Sequence, residues 1–317
     1  MNKNITIRLG YACICTSLDG ITSSKTYQYS KFSVEKDYQK LEEIIRENLI
    51  NLSLILKFNQ KNNIHFYRIT SNLIPLATHP NVNFDYTKKY SKEYTIISNI
   101  IKESKMRLDF HPSTYCILNS ARSEVVESTI KILEYHYRLL ENLKIEDKLI
   151  LIHVGSNTFG KKNSLTRFIN NYKLLPPNIR KVIAIENDDK TFTIDDCLYL
   201  ANILNIRVVL DYHHFLCNNT GTDIDNYLDE IFKTWGKETP KIHFSSQKSI
   251  KNIRAHHDYI DCEAFLTFLD KIKKYEKNVD IMLEAKAKDE AMFKLIRQIK
   301  YQRNYSFIDE TSFIISE

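Results

Sequence analysis

Histidine and acidic side chains recur in this sequence directly after short apolar runs. Of the ten histidines, eight lie at the end of such a run or in the loop behind it, whereas chance would place about four there if ~40% of residues are irregular. These eight are His79, His111, His153, His213, His214, His243, His256 and His257. Glu186, Asp211 and Glu284 each close another apolar run. Neutral imidazole and carboxylate together suit Zn²⁺, Mn²⁺ and similar divalent ions rather than Ca²⁺ or Mg²⁺ alone, so the pattern predicts a metal site.

The size of this ligand set indicates more than one ion, because a single ion usually takes only about three or four positions from protein. We expect two or three divalent ions, with one carboxylate bridging a pair about 3.5–4 Å apart. A cluster of this kind binds a phosphodiester, lowers the pKa of a bound water and stabilises the departing alkoxide. The predicted chemistry is therefore metal-assisted hydrolysis.

Other interpretations stay open for single members of the set. A lone histidine is more often a surface or core residue, and for His257 both interpretations stand. For His213 the core interpretation is favoured, because adjacent residues on a strand point to opposite faces and only one of His213 and His214 then faces inward. A lone carboxylate at a strand end is also a candidate helix N-cap, but that explanation weakens when three share one edge with histidines.

The elements that must position these residues are short strands alternating with amphipathic helices. The predicted strands are 5–13, 64–70, 106–110, 148–154, 181–186, 206–211, 240–245 and 279–284. Helical spacing covers 35–62, 87–104, 123–143, 161–174, 193–204, 222–234, 261–275 and 286–299. Ser33 before Glu35 and Thr193 before Asp195 are candidate N-caps.

Eight strand–helix units without a Pro/Gly-rich linker predict one α/β domain, a (β/α)₈ TIM barrel over residues 1–299. Residues 300–317 are interpreted as a C-terminal tail. A doubly wound open sheet is the structural alternative that strand counting leaves open. In a barrel the C-terminal strand ends converge on one rim, where active sites are built. Histidines and carboxylates distant in sequence are then expected to meet.

Bulk composition narrows the class of protein. The net charge is +6 over 317 residues, which permits a polyanionic partner without requiring one. Six scattered cysteines with no Cys-x-x-Cys pair favour a reducing compartment. With no signal-peptide pattern and no run of ~20 apolar residues, we expect a soluble intracellular protein in the cytoplasm or nucleoid, or in an infected host cell. The expected oligomeric state is a monomer, without membrane contact.

Nine segments in order resemble the UV damage endonuclease family over nearly the whole chain. They are RLGYAC (8–13), FYRITSNLIPLATHP (66–80), DFHPSTY (109–115), LILIHVG (149–155), IAIENDD (183–189), VVLDYHH (208–214), KIHFSSQ (241–247), RAHHDYI (254–260) and IMLEAKAK (281–288). Nine segments make a more specific signal than any single motif.

The resemblance implies a ligand assignment. One ion would be held by His111, His153 and Glu186; a second by Glu186, Asp211, His243 and Glu284, with Glu186 bridging; and a third by His214 and His256, with His79 as a further rim histidine. Mn²⁺ is the expected ion, with Zn²⁺, Co²⁺ and Mg²⁺ as alternatives. Lys241 matches a lysine that is carboxylated in the family, so Glu186 and Lys241 are the expected catalytic residues. An ordinary buried lysine is the alternative.

The resemblance also implies a substrate, which is damaged double-stranded DNA. The family nicks the phosphodiester 5′ to ultraviolet dipyrimidine photoproducts, with abasic sites as possible substrates, and leaves 3′-hydroxyl and 5′-phosphate ends. Tyr11, Thr114 and Tyr115 match side chains that probe the flipped lesion. The usual His-Pro-Gly-Gln-Tyr motif reads His-Pro-Ser-Thr-Tyr here, so Thr114 is shorter than the family's glutamine and lacks its amide donor and acceptor. Lys25, in a polar loop, is a candidate contact with the DNA backbone.

Three rival functions accompany this interpretation. An abasic-site endonuclease on a related trinuclear barrel and a sugar isomerase with the same rim geometry are rival enzymes. The isomerase would not need an aromatic wedge near Tyr11 and Tyr115. A damaged-DNA binder without turnover is the rival from another class, and the full ligand set argues against it.

Overall fold

A ring of short parallel strands forms the centre of the computed structural model, which describes residues 4–302 and 304–315. In chain order the strands are β1 (Ile5–Ala12), β2 (Phe66–Ile69), β3 (Arg107–Phe110), β4 (Ile150–His153), β5 (Ile183–Glu186), β6 (Arg207–Asp211), β7 (Lys241–Phe244), β8 (Gln247–Ser249), β9 (Asn252–His256), β10 (Val279–Leu283), β11 (Tyr305–Phe307) and β12 (Ser312–Ile315). Strands β1 to β7 and β10 follow one another as hydrogen-bonded neighbours, and β10 pairs with β1.

The β10–β1 pairing closes the sheet and confirms the predicted (β/α)₈ barrel. It is parallel, with Ile7 opposite Val279 and Tyr11 opposite Leu283. A doubly wound open sheet has two edge strands, whereas each of these eight strands is paired on both sides, so that alternative is excluded. All eight predicted strands are present.

Helices cover the outside of the ring. They are α1 (Tyr29–Glu35), α2 (Tyr38–Lys61), α3 (Ser91–Ser104), α4 (Ser123–Asn142), α5 (Lys161–Tyr172), α6 (Pro177–Arg180), α7 (Ile194–Leu204), α8 (Tyr212–Cys217), α9 (Leu228–Lys233), α10 (Cys262–Lys273) and α11 (Lys288–Ile299), with a 3₁₀ turn at Ile224–Asn226. Their buried faces and the outward side chains of the strands form one continuous apolar core.

The local capping signals give mixed results. Thr193 is the N-cap of α7, where the Asp196 carboxylate accepts from the Thr193 N–H at 2.8 Å. The prediction for Ser33 is wrong, because Ser33 lies inside α1 and Asp37 caps α2 by accepting from the Lys40 N–H at 2.9 Å. Asp37 directly precedes α2 with a non-helical backbone, whereas Ser33 has helical backbone inside α1 and cannot act as an N-cap.

Three features were not predicted from the sequence. An antiparallel hairpin of β8 and β9 follows β7. The chain enters α8 directly after β6, so His213 and His214 lie on a helix and the strand-alternation argument for them is wrong. Strands β11 and β12 form a hairpin that pairs antiparallel with β1, with Ile5 opposite Ile315.

Of the segment interpreted as a tail, residue 303 and residues 316–317 lie outside the described residues, as do residues 1–3. No helix in the described part of the chain is long and apolar enough to cross a membrane.

Candidate metal centre

Parallel strand register brings the main ligand candidates together. His153 on β4 stands opposite Glu186 on β5, and Asp211 on β6 stands opposite His243 on β7. Glu284 follows β10, and its backbone N–H donates to the Phe244 carbonyl at 2.9 Å. Because parallel strands all end at the same rim, five residues that lie between positions 153 and 284 become neighbours.

Glu186 lies between two groups of ligand candidates. On one side its Oε1 is 2.6 Å from His111 Nε2 and 3.2 Å from His153 Nε2. On the other side its Oε2 is 2.8 Å from His243 Nδ1, which is itself 3.8 Å from Asp211 Oδ2 and 3.2 Å from Glu284 Oε1. Two groups of three, His111–His153–Glu186 and Glu186–Asp211–His243, therefore have one potential ligand atom per residue within 4.8 Å of one another. Glu186 belongs to both.

Buried polar atoms that lack a hydrogen-bond partner test whether these residues fit an ion. Glu186 Oε2, Asp211 Oδ2 and His243 Nδ1 are buried and have no hydrogen-bond partner within the described residues. Buried polar atoms in native proteins are nearly always satisfied, so such exceptions indicate a missing ion or water. The three atoms approach one another without aligning as donor and acceptor, which is the arrangement expected of atoms directed at a common cation. The residues fit a divalent ion.

Backbone carbonyls orient several of the imidazoles. The Nδ1 atoms of His111, His214 and His256 lie 3.1, 3.0 and 2.8 Å from the carbonyl oxygens of Pro112, Asn187 and Glu284. A carbonyl can only accept, so each Nδ1 carries a proton, and in the neutral imidazole Nε2 is then left with the lone pair that can bind an ion. A hydrogen bond from the ring nitrogen that does not bind the metal is typical of metal-binding histidines. His214 and His256 have ring centroids 6.2 Å apart, and within the described residues neither belongs to the two ligand groups.

His243 has the opposite orientation because of Arg68, a residue that the sequence analysis did not single out. Arg68 Nη2 donates to His243 Nε2 at 2.7 Å, and Arg68 Nη1 lies 2.7 Å from Glu284 Oε1. A guanidinium has no acceptor, so in this arrangement the imidazole proton of His243 is on Nδ1. Binding of an ion at Nδ1 would require that proton to move to Nε2, and an Nε2–H can no longer accept from Arg68. Ligation here would therefore be coupled to a change of tautomer and to opening of the Arg68 contact.

The pKa values of the carboxyls reflect competition between burial and charge. Burial alone would raise the pKa of Glu186, but His111, His153 and His243 outweigh it and hold the pKa well below the usual range. For Asp211, burial wins and, with Glu284 and Glu186 close by, raises the pKa to about 7. Asp211 is the carboxyl of this group that most needs a cation to ionise at neutral pH.

His214 responds to the same charges in the opposite sense. Burial would lower the pKa of His214, but the Asp211 and Glu186 carboxylates outweigh it and raise the pKa to about 9. The imidazole also lies 3.5 Å from Asp211 Oδ2. A protonated His214 compensates part of the buried negative charge, and an ion would have to displace that proton.

Lys241 lies inside the barrel with no exposed surface and forms an ion pair with Asp109. Burial lowers the pKa of Lys241 to about 8, although Asp109 opposes the shift. Asp109 also lies 3.7 Å from Arg68. Asp109 and Arg68 were missed in the sequence analysis. The available signal was a charged residue at an inward position of an apolar strand, in FYRI and RLDF.

The residues expected to contact DNA divide between surface and core. Thr114 and Tyr115 lie on the exposed loop after β3, and Tyr115 is 81% exposed. Lys25 is exposed and paired with Glu47. Tyr11, in contrast, is 0% exposed, and its hydroxyl donates to Asn59 Oδ1 on α2 at 2.7 Å. Its ring also packs against Tyr67, so in this conformation Tyr11 is a core residue rather than an accessible probe.

The remaining histidines lie at the periphery of the centre. His79 stacks on Tyr29, with ring centroids 3.7 Å apart, and the structure does not bring it into either ligand group. His213 is buried against His256, with Nε2 3.9 Å from Cys217 Sγ, in agreement with the core interpretation. His257 is exposed, and its Nδ1 accepts from the Tyr259 N–H at 3.0 Å.

The fold and the site define the class of protein: a (β/α)₈ barrel with a histidine–carboxylate centre on its C-terminal rim. Within that class, the sequence profile of the UV-endonuclease UvdE family matches residues 7–312, and the chain belongs to this family. A UV DNA damage endonuclease of Bacillus cereus is 38% identical over 299 residues, which cover 92% of this chain and 94% of the relative.

Solved structures agree with this placement. The crystal structure of SacUVDE has a TM-score of 0.85 and 38% identity, covering 93% of this chain and 98% of that one. Endonuclease IV from Thermus thermophilus has a TM-score of 0.59 over 92% of this chain and 97% of its own, at 13% identity. At that identity the likeness shows a shared fold and nothing about activity.

Proposed function

We propose that this protein is a metal-dependent DNA repair endonuclease that nicks the phosphodiester 5′ to ultraviolet photoproducts, with abasic sites as further substrates. The observation that carries the proposal is the position of Glu186, whose two carboxylate oxygens face two different ligand groups. A carboxylate in that position suits a pair of ions, as in two-metal phosphodiester hydrolysis. Membership of the UvdE family supports the substrate class.

The ligand assignment follows the two groups. His111, His153 and Glu186 would hold one ion, and Glu186, Asp211, His243 and Glu284 a second, while His214 and His256 suit a third. Mn²⁺ is the proposed ion because mixed imidazole and carboxylate ligands suit it. When bound, such ions supply charge for the phosphate oxygens and activation of a water.

The chain's own residues provide the surroundings of this chemistry. Arg68 and Lys241 are buried cations beside a cluster of carboxylates, and they limit the repulsion within it. If Lys241 is carboxylated, its lowered pKa helps, since only the neutral amine reacts with CO₂. Tyr115 stands clear of the surface at the rim, where its ring can stack in the gap left by a flipped lesion. Thr114 beside it offers a short hydroxyl contact.

The decisive experiment is incision of a duplex that carries one defined photoproduct, run in Mn²⁺ and in EDTA. The expected result is a single nick 5′ to the lesion in Mn²⁺ alone, and none with Glu186→Gln. Glu146→Gln is the matched control, because Glu146 is exposed and precedes β4 at the opposite end of the barrel. Binding of damaged duplex without nicking, also after bicarbonate treatment, would instead support a non-catalytic binder. Ketose–aldose turnover would support the isomerase.

A further inference from the structure

The β8–β9 hairpin lies on the rim, and only His256 at its end is part of the proposed metal centre. It follows β7 directly, and its two strands pair antiparallel with Ser249 opposite Asn252. Its second strand ends at His256, whose Nδ1 lies 2.8 Å from the Glu284 carbonyl oxygen. The hairpin therefore rises from the edge of the metal centre.

The charged side chains of the hairpin are all basic. Residues 247–254, with the sequence QKSIKNIR, are all exposed and contain no acidic residue. Lys248 and Lys251 form no ion pair with any acidic side chain in the described part of the chain. Arg254 Nε lies 3.7 Å from Asp189 Oδ2, and the two side chains are 54% and 34% exposed, respectively. Exposed pairs of this kind contribute little, so the guanidinium remains available to an anion.

The tip of the hairpin is apolar. Ile250 and Lys251 form the two-residue loop, and Ile250 is 89% exposed. Two-residue hairpin loops favour Asn, Asp or Gly, so the isoleucine is not explained by turn geometry. It is not explained by packing either, because it lies in solvent. A two-stranded hairpin is only marginally stable by itself. This one is held near its tip by the Cys217 thiol, which donates to the Ile253 carbonyl at 3.5 Å.

We propose that this hairpin grips duplex DNA, with Lys248, Lys251 and Arg254 on backbone phosphates and Ile250 as a wedge at a base step. The proposal rests on the proposed function, since it takes DNA as the substrate. Lysine and arginine on phosphates release condensed counterions and supply sequence-independent affinity. Isoleucine is among the apolar side chains that enter base steps and unstack them. A hairpin with basic flanks and an apolar tip combines both properties beside the reactive centre.

The test of the phosphate contacts measures binding of the metal-loaded protein to an undamaged fluorescein-labelled duplex by anisotropy, over a range of salt concentrations. The triple variant Lys248→Gln, Lys251→Gln, Arg254→Gln is expected to bind at least about tenfold more weakly at low salt. The slope of log K against log salt should fall by about three, one unit for each lost phosphate contact. The matched control removes three charges before β4, β5 and β7, as Lys144→Gln, Lys181→Gln and Lys237→Gln, and should bind as the parent does. Equal metal content and melting temperature show that each variant is folded.

The tip is tested with Ile250→Asn, a substitution that suits the turn. The parent is expected to prefer a duplex with a two-base mismatch, whose bases are already unstacked, over the fully paired duplex. In the variant, the ratio of the two affinities should fall by about tenfold. This is the factor expected when an isoleucine side chain no longer makes an apolar contact. A variant that keeps the parent's preference overturns the wedge.

The outcomes separate this proposal from the proposed function, because nicking of irradiated duplex is measured on the same parent preparation. If the parent nicks but the hairpin triple binds as tightly as the parent, the hairpin proposal is wrong and the function stands. If the parent does not nick but the triple loses affinity and salt slope, the hairpin binds DNA and the function is wrong. Equal loss in the hairpin triple and the control triple would show a general effect of net charge and overturn the hairpin proposal.

Discussion

Lys241 and Asp109 form an ion pair inside the barrel, and both side chains are almost completely buried. Lys241 lies on β7, two residues before His243. Lys241→Met is expected to destabilise the fold by about 3–5 kcal/mol, because it leaves a buried carboxylate with only Arg68, 3.7 Å away. Urea unfolding of the metal-free protein measures this loss. The double variant Lys241→Met, Asp109→Leu should recover most of it, because both charges are then gone. A single variant as stable as the parent would show that the pair makes no net contribution.

Removal of divalent ions should lower the melting temperature as well as abolish nicking. Without cations, Glu186, Asp211 and Glu284 are close together in a buried region, and only part of their charge is compensated by Arg68 and histidines. Ligands that bind only the native state stabilise it by about 2.7 kcal/mol at 100 times Kd. We therefore expect the melting temperature after EDTA treatment to rise with added Mn²⁺ in a concentration-dependent way. In Glu186→Gln this rise should be much smaller; an equal rise would place the ion elsewhere.

The stability of the protein should fall between pH 7 and pH 5 partly because of His136. Burial lowers the pKa of His136 to about 4, whereas in the unfolded chain it is about 6.5. Between these values the unfolded state binds more protons, so stability decreases as the pH falls from about 6.5 towards 4. The contribution is about 2 kcal/mol at pH 5. His136→Gln should show a correspondingly smaller loss between pH 7 and 5 in urea unfolding. Parallel curves for parent and variant would contradict the assignment.

Tyr11→Phe should affect stability rather than lesion recognition. Without the hydroxyl, the buried Asn59 Oδ1 loses the hydrogen bond of 2.7 Å, at a cost of about 1–3 kcal/mol. Because Tyr11 is a core residue here, affinity for damaged duplex should remain within about twofold of the parent. Thermal unfolding and anisotropy measure the two effects. A variant with parental stability but weakened lesion binding would instead support the role implied by the family resemblance.

Tyr115→Ala should behave in the opposite way. The side chain is 81% exposed, so its removal should leave the melting temperature unchanged. If the ring stacks against bases at the lesion, affinity for the damaged duplex should fall by about 1–3 kcal/mol per stacked base. Tyr115→Phe is the matched control, because it keeps the ring and loses only the hydroxyl. Equal affinities of the alanine variant and the parent would remove Tyr115 from lesion recognition.

Much of the barrel was predictable because its information is local. The apolar runs that became β1 to β7 and β10, and the helical spacing between them, reflect burial on both faces of a parallel strand and on one face of a helix. The ends of those runs are also local, so Glu186, Asp211 and Glu284 were identified as rim candidates without knowledge of their neighbours. The failures have local causes too: His213 and His214 were read as strand residues because the α8 start lies immediately after β6.

By itself, then, the sequence determined the order of the strands and the residue types at their C-terminal ends, and these residue types are the basis for the prediction of a metal centre. Only the tertiary structure decided which of those residues meet. The β10–β7 pairing places Glu284 near His243, and the β4–β5 register places His153 beside Glu186. Closure of the barrel by the β10–β1 pairing buries Lys241, Asp109 and Arg68 together, and Tyr11 on β1 faces α2 rather than the surface. The physical reason is that burial pattern encodes a local element, whereas contacts over 100 or more residues depend on how the sheet closes and in which register.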